Sequence, residues 1–160
     1  MDSKIVFYEK QQFRQWWLWL LFLSLFAFLF YKFIIQKDYG TIKDWQDCLP
    51  LLLPIIICLL FWIMKMETTI KEDGIYINFC PLLWKIKFYP WQNIEKIDVV
   101  EYNALLEYGG WGIRLGAYNV SGNKGFKITF KNGNKLLIGT QKPQEIEDVL
   151  KNLNYDKKFI

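Results

Sequence analysis

Two long apolar runs lie close together in the first 66 residues, and no comparable run follows. The first is Trp16 to Ile35 (WWLWLLFLSLFAFLFYKFII) and the second is Cys48 to Met64 (CLPLLLPIIICLLFWIM). A bilayer core about 30 Å thick is crossed by roughly 20 apolar residues in a helix. Each run is long enough, and a polar stretch, Gln36 to Asp47, joins them. The sequence therefore predicts a transmembrane hairpin over 15–66, with spans at 16–35 and 48–64. A cytoplasmic tail (1–14) would precede it, and a polar domain (67–153) and a second tail (154–160) would follow.

The details of the runs agree with this expectation. The first ends YKFIIQKDYG, without the small-residue cleavage site of a signal peptide. Trp16, Trp17, Trp19 and Tyr31 stand at its ends, and Trp45 and Trp62 flank the second, as aromatic belts do. Lys32 can snorkel to an interface. Pro50 sits near a helix start, where a missing N–H costs little, and Pro54 predicts a kink. No charge lies deep in either run, which argues against an ion pathway. Lys4, Lys10, Arg14, Lys65 and Lys71 outnumber Lys32, Lys37 and Lys43 on the connecting side. The expected placement is thus a multi-pass inner-membrane protein with both termini and the polar domain in the cytoplasm.

Composition narrows the chemistry. The net charge is +4, and residues 67–160 are nearly balanced without a basic stripe, so no nucleic acid is expected as partner. There is no histidine, which removes the commonest general base and its nucleophile pairs. Cys48, Cys58 and Cys80 form neither a disulfide framework nor a zinc spacing. Neither a metal nor a cofactor is expected, and no catalytic residue stands out. Gly110, Gly112 and Gly116 miss the dinucleotide spacing and precede no helical pattern. Asp98, Glu101 and Glu107 are expected to be solvated strand carboxylates, and Lys85, Lys87 and Lys127 a solvated strand face.

From Glu67 onward the apolar period becomes that of strands. Asp73-Gly74 offers a tight turn before Ile75 to Phe79, and Trp84 to Tyr89 alternates Trp84, Ile86 and Phe88 against Lys85 and Lys87. Ile94 to Tyr102 predicts a further strand. Phe126, Ile128 and Phe130 alternate before Asn132-Gly133, a strong hairpin signal. Pro143 then opens a helix whose Ile146, Val149, Leu150 and Leu153 share one face.

The segments EDGIYINF, PWQNIEKIDV, YGGWGIR and KITFKNGNKLLIGTQKP, followed by the final helix, resemble in order and spacing the pleckstrin-homology-like (PH-like) domains. With two apolar runs before it, the chain is similar to bacterial membrane-anchored PH-like proteins. The resemblance implies an α+β fold, a small antiparallel PH-like β-barrel or bent sheet capped by a C-terminal α-helix. It also implies a scaffold that binds rather than catalyses. The first turn, Glu72-Asp73-Gly74, is acidic, so phosphoinositide binding is not expected.

The expected role is a cytoplasmic binding or assembly module held at a membrane surface, and not an enzyme. The alternative is a small membrane enzyme or transporter accessory subunit. Expected partners are membrane lipids through the hairpin and a protein partner or a second copy. In Tyr108 to Gly116, Trp111 and Arg114 stand among four glycines. Trp111 offers an apolar anchor and Arg114 a planar cation able to grip a carboxylate or phosphate. The structural alternative has Trp111 filling the core and Arg114 paired with a carboxylate such as Glu107.

Overall fold

The computed structural model describes residues 4–35, 49–83, 85–114 and 116–153. The connecting stretch 36–47, Trp45 within it, Cys48, Trp84 and the expected tail 154–160 lie outside the described residues. The chain divides into two compact units, Phe13–Ile63 and the combination of Met1–Gln12 with Met64–Ile160.

The first unit is a helix pair, α1 (Trp16–Ile35) and α2 (Leu49–Ile63), with Pro54 inside α2. The two pack edge to face through Trp19 and Trp62, ring centroids 5.7 Å apart, and through Phe22 and Phe61 at 5.3 Å. Among the described residues no helix is long and apolar enough to cross a membrane. The 15 residues of α2 rise only about 22 Å. The expected transmembrane hairpin fails on this finding. The integral-membrane role and the multi-pass inner-membrane placement fail with it.

The second unit is α+β. Strands β1 (Ile5–Gln12), β2 (Lys65–Lys71), β3 (Gly74–Cys80) and β4 (Lys87–Pro90) form an antiparallel sheet in that order. Strands β5 (Ile94–Glu101), β6 (Gly112–Arg114), β7 (Ala117–Asn119), β8 (Lys124–Phe130) and β9 (Lys135–Gly139) form a second sheet in the order β5-β8-β9-β7-β6. That sheet is mixed, because β7 runs parallel to β9. Helix α3 (Ala104–Tyr108) separates β5 from β6, and α4 (Pro143–Asn152) closes the chain and contacts β1, β5 and β8.

Alternation builds the core. In β2 every second residue, Met66, Thr68 and Ile70, points inward; Ile75, Ile77 and Phe79 do so in β3. Phe126 and Ile128 of β8, Leu136 to Ile138 of β9, and Ile146 and Leu150 of α4 are also buried. The turns at Asp73-Gly74 and Asn132-Gly133 join β2 to β3 and β8 to β9.

Three features differ from the sequence expectation. Residues 5–12, expected as a tail, are strand β1, and its partner β2 begins beyond the helix pair, with Gln12 opposite Lys65. The strand expected at Trp84 to Tyr89 covers only Lys87–Pro90, and Ile86 and Phe88 are exposed. The strands form two separate sheets, one of them mixed and out of sequential order, and not a closed PH-like barrel. The PH-like assignment is corrected accordingly.

Candidate functional site

The segment from Asn103 to Asn119 leaves β5, forms α3, and returns as the β6–β7 hairpin on the edge of the second sheet. Its backbone is tightly held. The Asn103 side chain caps α3, its Oδ1 accepting from the Leu105 and Leu106 amides at 3.1 Å each. Glu107 Oε1 in turn accepts the Asn103 amide at 2.8 Å. Gly109 ends the helix at φ 70°, a left-handed conformation that glycine adopts without a Cβ clash. The buried Asn119 Oδ1 accepts the Gly112 amide at 2.9 Å and pins β6 to β7.

The sequence candidates separate on this frame. Trp111 is half-buried and packs, with Val100 and Tyr108, against a cluster of Tyr102, Ala104, Ala117 and Leu137. It forms part of the wall of that core cluster. Arg114 is exposed at the end of β6, and no ion pair joins it to Glu107 among the described residues. The structure therefore does not bring Trp111 and Arg114 together as one solvent-facing grip. Instead it exposes Leu105 and Leu106, the latter 86% accessible, on α3. Both were hidden in a stretch whose pattern blends into the preceding strand. The one sequence signal was Asn103 before a run of good helix formers.

Beneath this segment the phenols are shielded. Burial raises the pKa of Tyr102 above the ordinary tyrosine value, while the neighbouring Asn119 amide pulls the other way. Burial, followed by the Glu107 charge, raises that of Tyr108. Neither hydroxyl is tuned to move protons near neutral pH. No group of acidic, thiol or imidazole side chains suited to a metal ion occurs among the described residues.

Within the helix pair, a pocket of about 370 Å³ is lined by Trp19, Phe22, Leu23, Phe26, Pro54, Ile55, Cys58 and Leu59. None of these described lining residues is charged. No known family model matches the chain, and no curated protein matches it.

Proposed function

We propose that the chain is a binding module rather than an enzyme, and that it engages a protein partner through α3 and the β6 edge. Leu106 carries this reading: it is 86% exposed on a short helix whose backbone is fixed by Asn103, Glu107 and Gly109. A large apolar side chain on a backbone already fixed in water spares docking the cost of ordering that backbone. Leu105 extends the apolar patch. Arg114, at the end of an edge strand, supplies a planar cation for a carboxylate on the partner.

Affinity recovery of the full chain in mild detergent tests this reading. Leu106→Asp and Arg114→Ala each keep the wild-type melting temperature, since both side chains face solvent, and each lowers recovery of a stoichiometric protein partner. Unchanged recovery in both variants overturns the docking assignment. A small molecule co-purifying in place of a protein overturns the module reading in favour of catalysis.

A further inference from the structure

A second concavity, lined by no residue of α3 or β6 among those described, lies where β4 of one sheet approaches the β8–β9 turn of the other. Its volume is about 470 Å³, and Tyr89, Asn93, Phe130, Lys131, Asn132 and Asn134 line it. That volume falls within the roughly 300–1,000 Å³ range of small-molecule sites. Tyr89 and Phe130 form its apolar wall, with ring centroids 5.5 Å apart and planes tilted by 38°. Burial, followed by the neighbouring Tyr118 hydroxyl, pushes the Tyr89 pKa far above the ordinary phenol range. Tyr89 therefore offers the site a ring rather than an ionisable group.

The polar lining is three carboxamides and one ammonium, with no carboxylate among the described lining residues. Backbone bonds fix it in place. The Lys131 amide donates to Asn93 O at 3.0 Å, the Phe130 amide to Asn134 O at 2.9 Å, and the Gly133 amide to Phe130 O at 2.8 Å. Asn132 Oδ1 accepts the Asn134 amide at 3.0 Å, which leaves the Asn132 NH₂ for a ligand.

We propose that this cleft binds a sugar acid, a hydroxyl-rich ring bearing one carboxylate. Carboxamides donate and accept, which matches hydroxyls that do both. The Tyr89–Phe130 wall matches the C–H face of a sugar ring. Lys131 is a single mobile point charge, suited to one carboxylate rather than to a polyphosphate. None of the described lining residues is a carboxylate that would repel that anion.

Calorimetric titration of the full chain with glucuronate, glucose and benzoate tests the assignment. Glucuronate binds saturably, and glucose binds at least about tenfold more weakly, because it lacks the charge-assisted contact. Lys131→Gln, at an exposed position, abolishes the preference for acid over neutral sugar and leaves the melting temperature unchanged. Asn93→Asp places a negative charge in the cleft and weakens glucuronate more than glucose. No saturable glucuronate binding, tighter binding of benzoate, or an acid preference that survives Lys131→Gln overturns the proposal. None of these outcomes depends on the α3 and β6 docking surface.

Discussion

Glu9 and Thr140 meet across 131 positions of sequence, with the Thr140 hydroxyl donating to Glu9 Oε2 at 2.6 Å. Glu9 is only 5% exposed, and its other oxygen accepts the Gln141 amide at 2.8 Å. Thr140 Oγ1 also accepts the Lys142 amide at 2.9 Å, so one carboxylate organises the turn that launches α4. Glu9→Gln keeps the volume but turns an NH₂ toward a donor. Leaving a buried donor unmet costs about 1–3 kcal/mol. Urea denaturation of the full chain reads this loss. An unchanged midpoint means that the contact contributes nothing.

The ladder between β1 and β2 sets a second expectation. A fragment of residues 67–160 lacks β1 and the first residues of β2, and with them the buried side chains of Phe7, Glu9, Gln11 and Met66. It is expected not to melt cooperatively. Joining Gln12 to Lys65 through a short glycine-containing turn, in place of 13–64, restores β1 beside β2, because these two residues are already register partners. Far-UV circular dichroism and a thermal melt of both proteins check this. Cooperative melting of the 67–160 fragment contradicts the role given to β1.

The outward face of the first sheet carries a pH-sensitive pair. Glu67 accepts from Lys65 Nζ at 3.1 Å and from Asn78 Nδ2 at 3.2 Å. Burial opposes ionisation of Glu67, but the bonds from Lys65 and Asn78 outweigh it, and its pKa falls below the ordinary 4.5. The hydrogen bond to Glu67, followed by its charge, raises Lys65 above 10.5. A depressed carboxyl pKa gives stability that is present above the unfolded value and lost as pH falls through the folded one. A raised amine pKa gives stability that is present below its unfolded value and lost as pH rises through the folded one. The pair is therefore at full strength between about 4.5 and 10.5. Glu67→Gln flattens the acid limb of a stability profile below 4.5 and also removes the Lys65 contribution on the alkaline side. The effect is small, as for exposed pairs generally. Identical acid limbs in wild type and variant contradict it.

What the sequence showed depended on how local each signal was. Asp73-Gly74 and Asn132-Gly133 mark their turns because both the turn residues and the alternating flanks lie within one hairpin. Pro143, Ile146 and Leu150 mark α4 for the same reason. Strand β1 was hidden because its inward positions include Glu9 and Gln11, which break the apolar alternation. Their burial makes sense only beside Gly139, Thr140 and Gln141, far along the chain. The order β5-β8-β9-β7-β6 likewise rests on long-range pairings that no local pattern encodes. At the candidate site, glycine content drew attention to Trp111 and Arg114, but whether each faces core or water depends on how β6 pairs with β7. The Tyr89–Phe130 wall joins residues from two different sheets, which neither strand announces alone.

The insertion of 13–64 between register partners also fixes how the β-rich unit bears load. A pull delivered through the helix pair reaches it at Gln12 and Lys65, the adjoining ends of an antiparallel ladder. In that geometry the pairs separate in succession, as a zip does, and each bears the whole force in turn. Resistance must then come from contacts that run crosswise to β2. Gln11 Nε2 on Gly139 O at 2.8 Å is the first such stitch, and Glu9 with Thr140 and Gln141 is the next. The buried polar side chains of β1 thus act as a mechanical stop, set within four residues of the point where tension enters.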